Sequence, residues 1–151
     1  MKKISILLQT AILIIGLTAF VFMLWEPHLE GRNAHSTTFQ IYFNDPFLAF
    51  AYLASIPFFI ALYEGFKLSG LYGQNRLFSQ TAVNSLKTIR FCAFLLIIFV
   101  TIGEIIILSS NSDDPAGGVF MGVIIATGSL LVAVAATKAE KYVQKSSVQI
   151  R

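Results

Sequence analysis

The chain has 151 residues, of which 56% are hydrophobic and 13% are charged, with a formal net charge of +3 and a single cysteine. Soluble globular domains average about 25% charged residues, so water is not the main solvent of this chain. The lone Cys92 excludes an intrachain disulfide and a paired-thiol redox site.

Four apolar blocks predict four transmembrane helices, which we place at residues 4–25, 46–63, 91–108 and 118–137. At 1.5 Å per residue these lengths cover roughly 26–33 Å, close to the hydrocarbon thickness of a bilayer. Backbone amides in lipid must be satisfied internally, which favours helices. The predicted fold is a single all-α integral membrane domain over residues 1–151, a four-transmembrane-helix bundle.

The first span follows Lys2 and Lys3, as the core of a secretory signal peptide would. Its apolar stretch is longer than a typical signal core, and its small-residue exit at 17–19 has Leu17 where a small residue is expected two positions before the cut. We expect the helix to be retained. Gln9 and Gly16 share a face that we expect to point into the bundle.

Basic residues are sorted to one side of the predicted topology. Ten of the eleven lie in the amino-terminal tail, in the loop at 64–90 or in the tail at 138–151: Lys2, Lys3, Lys67, Arg76, Lys87, Arg90, Lys138, Lys141, Lys145 and Arg151. The loops at 26–45 and 109–117 are acidic. The positive-inside rule therefore predicts cytoplasmic termini (N-in, C-in) and a multi-pass protein of the bacterial cytoplasmic (inner) membrane.

The first outer loop contains His28 and His35 near several carboxylates. Their spacing does not match that of a helical zinc site, so we predict a solvated loop and no metal. The run at 37–43 alternates polar and apolar residues, which suggests a small hairpin or a segment lying on the membrane.

Two Asp-Pro pairs predict helix starts. Asp is a good N-cap and Pro suits the first helical turn, because the opening amides lack carbonyl partners there. Asp45-Pro46 would begin the second span, and Asp114-Pro115 leads toward the fourth.

Pro57 interrupts the second span, where its ring removes an amide and releases the carbonyl of Leu53. We expect a kink. Such a break builds substrate sites in some transporters, whereas many membrane helices tolerate proline without one. The sequence leaves both alternatives open.

Gly65, Gly70 and Gly73 are expected to break the middle loop, after which Ser79 caps a new helix. No Gly or Pro follows before Val100, so this helix should continue into the third span as an amphipathic cytoplasmic extension.

The extension carries an apolar face with basic residues near the lipid headgroups. The candidate partner-binding residues are Val83, Leu86, Lys87, Ile89 and Arg90. This face either receives a groove or helix of a soluble partner, or lies on the inner leaflet or against the end of the bundle. Both alternatives remain open.

Glu104 is the strongest lead for an intramembrane polar site, because an ionisable side chain in a span is costly and by default faces the bundle interior. It is either a proton- or cation-linked carboxylate, or an interfacial or structurally bonded acid. Thr101, one turn away, is expected to line the same seam.

The fourth span carries small residues at spacings of three and four: Gly118, Gly122, Ala126, Ser129 and Ala133. Small residues let helices in lipid approach closely. This ridge predicts a packing face, either within the chain or against a second copy in a homo-oligomer.

Enzymatic signatures are missing from the sequence: there is no serine-histidine-acid arrangement, phosphate-binding loop or nucleotide fingerprint. We therefore expect a non-enzymatic protein without a cofactor, and no direct nucleic-acid binding.

Three stretches resemble a known bacterial membrane family, the one catalogued as domain of unknown function 2975. They are residues 54–68, 75–79 and 82–93, and the Asp-Asp-Pro before the glycine-rich last span is similar too. The family has no established activity. The resemblance implies a companion of small Cro-like helix-turn-helix regulators encoded beside such proteins in Gram-positive and other bacteria.

These observations lead to two hypotheses of function. The first is a non-enzymatic membrane sensor or tether that holds or releases a helix-turn-helix transcription regulator through residues 64–90. The second is a small oligomeric transporter that uses Glu104 and the Pro57 kink.

Overall fold

The structure is a computed structural model that describes residues 2–29, 35, 37–43, 45–109 and 115–149. Its described residues are helical with short connections and contain no strand. The helices are α1 (Lys2–Leu29), α2 (Thr38–Phe43), α3 (Pro46–Gly73), α4 (Gln80–Ser109) and α5 (Pro115–Gln149). Among the described residues, four helices are long and apolar enough to cross a membrane, namely α1, α3, α4 and α5. The all-α fold class is confirmed.

The long helices pack in chain order: α1 on α3, α3 on α4 and α4 on α5, and α1 makes no extensive contact with α4 or α5 within the described chain. The four predicted helices are therefore arranged as an open row. Lipid offers no hydrophobic contrast to drive closure, so the outer faces of α1 and α5 need no protein cover.

Successive long helices run antiparallel, which gives the row two ends of opposite charge. At one end Ser5 of α1 donates a hydrogen bond to the carbonyl of Ser69 in α3, at 2.6 Å. We call this the basic end, because α1 starts there, α3 joins α4 there and α5 finishes there, and these segments carry the basic residues. The other end, with the loops at 26–45 and 109–117, is the acidic end.

Helix α1 continues past its predicted end through Pro27. Proline has no backbone N–H, so the carbonyl of Met23, four residues earlier, loses its usual partner. The Tyr52 hydroxyl of α3 donates to that carbonyl at 3.1 Å, and the Tyr42 hydroxyl of α2 donates to the carbonyl of Leu24 at 2.6 Å. Two tyrosines thus tie the end of α1 to its neighbours.

Within the run at 37–43, residues 38–43 form the short helix α2, so the hairpin, one of the two alternatives for this run, is wrong. The Thr37 hydroxyl accepts from the amide of Gln40 at 3.3 Å, and the Gln40 side-chain oxygen accepts from the amide of Thr37 at 2.9 Å. This reciprocal capping box starts a helix, and the alternating pattern concealed it. Ile41 is the buried residue of α2.

Helix α3 begins as predicted. The Asp45 carboxylate accepts from the amides of Phe47 and Leu48, at 2.9 and 3.2 Å, and Pro46 occupies the first turn. Asp114, the predicted cap of the last span, lies outside the described residues, while α5 does begin at Pro115. Asp45 is thus a confirmed N-cap.

The predicted break at Gly65 and Gly70 is wrong, because α3 runs through both to Gly73. The stop signal is Asn75, which adopts a left-handed φ of 57°. The amide of Arg76 donates to the carbonyl of Leu71 at 2.9 Å, and that of Asn75 to Tyr72 at 3.2 Å. This is the Schellman motif, in which asparagine tolerates the left-handed conformation that glycine usually supplies.

The glycines of α3 serve packing against α1. A Cβ at Gly73 would lie 2.6 Å from the Ser5 Oγ, and one at Gly70 would lie 3.1 Å from the Gln9 Nε2. Gln9 also donates to the carbonyl of Phe66 at 3.3 Å. The prediction that Gln9 faces the interior is confirmed, and close approach explains the glycines.

Helix α4 starts after Ser79, whose Oγ accepts from the amide of Ala82 at 3.3 Å, as predicted. It continues without a break from Gln80 into the predicted third span. Helix α5 has 35 residues. At 1.5 Å per residue it is about 52 Å long, well beyond a hydrocarbon core of about 30 Å. Helix α4, with 30 residues, and α5 are therefore both longer than the hydrocarbon core is thick.

The best-buried cluster lies at the basic end. Val83 and Leu86 of α4 and Val143 of α5 are buried, with Leu68 of α3 and Ala139 of α5 packed against them. Three helix ends thus share a small apolar core beyond the predicted spans. We call this three-helix unit the basic-end cap.

Candidate functional site

Glu104 lies in the seam between α4 and α5 near the acidic end. A Cβ placed on Gly122 of α5 would overlap the Glu104 Oε1 and would lie 2.6 Å from its Cδ. The carboxyl group therefore occupies the space that a side chain at position 122 would need. One turn away, Ile107 packs in the same way on Gly118, where a Cβ would lie 2.9 Å from the Ile107 Cδ1.

The second oxygen of this carboxyl group is buried without a partner. Within the described residues, the buried side-chain oxygens that lack a hydrogen bond are Glu104 Oε2 and Ser85 Oγ. Buried polar atoms are normally paired, so this unpaired carboxyl oxygen inside a helix seam marks Glu104 as a candidate site.

Thr101 does not join Glu104. Its side chain is exposed and its hydroxyl donates to the carbonyl of Ile97 in the same helix, at 2.8 Å. The prediction that it lines the seam is wrong. Three residues advance a helix by 300°, which is short of a full turn, so Thr101 is rotated around α4 relative to Glu104. Because α4 has neighbours on two sides only, this rotation leaves Thr101 outside the seam. Gly103 faces the other neighbour, since a Cβ there would lie 3.5 Å from Phe50 of α3.

Pro57 is buried inside an otherwise continuous α3. It stands two turns beyond Phe50, whereas Glu104 points to α5. The described contacts therefore do not bring the proline and the carboxyl group into one site.

The small-residue ridge of α5 packs within the chain. Gly122, Ser129 and Ala133 are buried on the side that meets α4, while Gly118 and Ala126 are partly buried. Gly128, off the ridge, would meet nothing within 4 Å if it carried a Cβ. The predicted packing face is therefore occupied by α4.

The candidate partner-binding face at 83–90 is largely covered. Val83 is 2% exposed and Leu86 is 5% exposed, both in the core of the basic-end cap. Of the alternatives, packing against the end of the bundle is the one the structure adopts. Val83 and Leu86 are therefore unavailable to a partner, Ile89 is partly buried, and Lys87 is exposed.

Arg90 takes part in an interaction that the sequence analysis missed. Its Nη1 lies 2.6 Å from Oε2 of Glu140, whose side chain is only 8% exposed. The Gln144 Nε2 donates to the other oxygen of Glu140 at 3.3 Å. Glu140 is the sole acidic residue of the carboxy-terminal tail, where it stands among lysines. This isolated acid was the feature of the sequence that could have indicated the ion pair.

An exposed polar surface remains on the cap. It includes Gln80, Asn84 and Lys87 on α4, and Lys138, Lys141 and Lys145 on α5. Phe78 and Tyr142 connect the two groups, with ring centroids 6.1 Å apart. The cap therefore presents a basic surface on a packed support.

The histidine prediction is tested only in part. The Nδ1 of His28 lies 3.1 Å from the Tyr42 hydroxyl, and His35 is exposed. In the part of the chain that the structure describes, no three His, Cys, Asp or Glu residues are placed to hold a metal. Glu30 lies outside that part, so the solvated loop stays a prediction.

Four long apolar helices, joined by short connections and sorted in charge, define a multi-pass membrane protein. The chain belongs to the family described as "Protein of unknown function (DUF2975)", whose model matches residues 31–145. This confirms the resemblance found in the sequence.

A curated relative matches along nearly the whole chain. It is the "Uncharacterized membrane protein YoaS" of Bacillus subtilis (strain 168), 28% identical over 144 residues, which cover 94% of this chain and 90% of the relative. No solved structure matches.

Proposed function

We propose that the protein is a non-enzymatic membrane sensor or tether whose basic-end cap holds a cytoplasmic helix-turn-helix regulator. The observation that carries the proposal is the cap itself: a buried core of three helix ends beyond the predicted spans, closed by the Arg90–Glu140 pair. Lipid anchoring alone does not require such a core. A packed support with an exposed polar face suits a docking role.

Orientation supports the same assignment. The helices that meet at the basic end carry most of the lysines and arginines. The positive-inside rule therefore supports a cytoplasmic location for that end in a bacterial inner membrane. A soluble regulator would meet the protein there. The family resemblance supplies the kind of partner, a small helix-turn-helix protein.

The contact that we propose for the partner is the polar face of α4 and not its apolar face. Val83 and Leu86 are buried, whereas Gln80, Asn84 and Lys87 are exposed on the same three turns of α4. A partner of acidic surface charge would fit this face and the lysines of α5. Scrambling the whole segment would destroy the core, so tests should change exposed positions only.

The test is in-cell crosslinking from photoreactive residues placed one at a time at Gln80, Asn84 and Lys87 in the full chain. We expect mass spectrometry to identify the same helix-turn-helix DNA-binding protein at Asn84 and Lys87. Lys87→Glu should weaken that capture and change expression of the regulator's target genes, because it reverses a charge in the contact.

Thr127 of α5 provides the matched control, because it is exposed in the middle of the predicted span, where only lipid should be captured. Capture of lipid or of a second copy at all three cap positions would contradict the tether. So would unchanged expression in a Lys87→Glu variant that reaches the membrane in normal amount.

One observation favours the alternative, a small oligomeric transporter: the unpaired Glu104 Oε2 inside a membrane-spanning seam. Transporters place carboxylates along their ion pathways. In that case Glu104→Gln abolishes a transport or resistance phenotype without lowering the amount of protein in the membrane. Retention of the phenotype would reject this alternative.

A further inference from the structure

We propose that Glu104 is a proton-binding site: its carboxyl group is neutral while it packs against Gly122, and it releases the proton only when the side chain leaves the α4–α5 seam. The inference concerns the carboxylate of the transport alternative and goes beyond it, since proton binding requires no transport. It is equally independent of the tether, which concerns the other end of the protein.

The predicted spans are almost free of charged residues. Within the predicted spans Glu104 is the one residue of the Asp, Glu, Lys, Arg and His types. The nearest charged residues along the packed helices are Asp45 and Glu64 on α3, Arg90 on α4 and Lys138 on α5, with Asp113 and Asp114 in the connection from α4 to α5. No cationic side chain is therefore built into the spans to neutralise the carboxylate.

A negative charge on Glu104 would be costly in the seam. An ionised carboxylate without a partner in a low-dielectric environment is strongly disfavoured, so the group takes up a proton or moves to water. The Glu104 Oε2 is buried and has no partner among the described residues. In this packed position the neutral acid is the form that the surroundings favour.

Among the described residues, Glu104 lacks the further side-chain oxygens that would hold a metal cation. Hard cations are held by about six oxygen ligands. The nearest hydroxyl on α4, that of Thr101, donates to Ile97 on the exposed side of the helix. On α5 the carboxyl group lies against Gly122, which has no side-chain oxygen. A proton needs only the carboxyl group itself.

Gly122 makes room for the Glu104 carboxyl group. The glycine leaves a notch that the carboxyl group fills, and any side chain there would overlap Oε1. A Cβ at Gly128 would have no atom within 4 Å, so the close contact at Gly122 is not shared by every glycine of α5. Proton occupancy is thereby coupled to helix contact: the neutral form fits the notch, and the charged form favours an opened seam.

The experiment uses the full-length protein in lipid nanodiscs and the hydrophobic reagent dicyclohexylcarbodiimide. A protonated carboxyl group adds across a C=N bond of the reagent and rearranges to a stable N-acylurea, with no group lost, so mass spectrometry of peptides locates the adduct. We expect an adduct at Glu104 that forms several-fold faster at acidic than at alkaline pH. Glu140, held by Arg90, should remain unmodified and serves as the internal control.

Two glycine variants separate packing from simple reactivity. Gly122→Ala should expel the carboxyl group, so that labelling by dicyclohexylcarbodiimide falls several-fold and a water-soluble carbodiimide now reaches Glu104. Gly128→Ala should leave both reactions unchanged. Glu104→Gln identifies the adduct by removing it.

The inference is overturned if wild-type Glu104 forms no adduct at acidic pH. Equal reaction with the water-soluble reagent in the wild type would also overturn it, since the group would then lie in water. Because the decisive measurement is made on the wild-type chain, a variant that folds poorly does not decide the result. Proton binding without any transport phenotype would reject the transporter and leave the site in place.

Discussion

Arg90 and Glu140 show how a single residue pair stabilises the basic end. Glu140 is buried in α5, and Arg90, 35% exposed along its side chain, reaches it from α4. Removing one member of a buried pair leaves an uncompensated charge, at a cost of about 3–5 kcal/mol, towards the lower end when a partner is partly solvated. The pair therefore matters more than the pair Lys67–Glu64 within α3, whose atoms lie 3.3 Å apart and whose lysine side chain is 40% exposed.

We predict that Arg90→Gln loosens the basic end, because Glu140 loses its charge partner while Gln144 alone remains. Cys92, the single cysteine, is 3% exposed and lies two residues away, so it is a built-in reporter. The rate at which a fluorogenic maleimide labels Cys92 in nanodiscs should rise several-fold, and the thermal midpoint should fall.

Lys87→Gln is the matched control, since Lys87 is exposed on the same helix. It should leave Cys92 protected. Arg90→Lys should fall between the wild type and Arg90→Gln, because it keeps the charge without the forked geometry of arginine. Equal protection of Cys92 in all three variants would show that the pair does not hold the cap together.

At the scale of elements, the glycines of α3 allow close helix packing and do not break the helix. Gly73 and Gly70 lie against Ser5 and Gln9 of α1, and the polar side chains bond to carbonyls of α3. Satisfied polar groups and close backbones are the forces that join helices in lipid. The contact of α1 with α3 therefore depends on these small residues, while Asn75 ends the helix.

We predict that Gly73→Ala weakens the contact between α1 and α3. Its Cβ would lie 2.6 Å from Oγ and 2.7 Å from Cβ of Ser5, and the latter atom cannot rotate away. Overpacking of this kind costs about 1–3 kcal/mol. Thermal unfolding followed by circular dichroism should show a lower midpoint, and Ser5→Gly in the same chain should restore part of the loss.

Gly65→Ala is the control within the same helix, because its Cβ would make an ordinary contact, 3.6 Å from Ile12. It should be neutral or should stabilise the helix by about 0.5–1 kcal/mol, since alanine is the better helix former. A Gly65→Ala variant as unstable as Gly73→Ala would contradict the prediction, because the close contact with Ser5 would then not be the cause of the lost stability.

At the scale of the whole molecule, the row of helices joins two unequal ends. The basic end has the buried core of Val83, Leu86 and Val143, whereas Ile105 and Leu108 near the acidic end of α4 are exposed. The proposed proton site lies toward the less packed end. A signal that opens the α4–α5 seam there would leave the cap assembled, so α4 and α5 would have to transmit the change as packed elements.

We predict that Gln74 is cytoplasmic and Thr38 is outside. In a Cys92→Ala background, a membrane-impermeant maleimide applied to protoplasts should label Thr38→Cys at once, and Gln74→Cys only after permeabilisation. Both positions are exposed and lie at opposite ends of the row. Labelling in the reverse order would invert the proposed topology and remove the cap from the cytoplasm.

The number of long apolar helices, the starts of α3 and α4 and the character of the chain as a membrane protein were all predicted from the sequence alone. These features depend on local chemistry: lengths of apolar sequence matched to a bilayer, and Asp45 and Ser79 bonding to amides two or three residues away. The family resemblance was carried by contiguous residues in the same way. Glu104 stood out because a charged residue within an apolar span is conspicuous in any sequence.

The tertiary structure decided what those residues touch. Helical periodicity showed that Val83 and Leu86 share a face, but only the packing of α5 showed that this face is covered. The role of Glu140 likewise became visible only from its contact with Arg90. Thr101 and Glu104 separated because α4 has neighbours on two sides only. Interactions between distant residues depend on which helices become neighbours, and in lipid that choice follows from small residues and satisfied polar groups, which hydrophobic patterning does not encode.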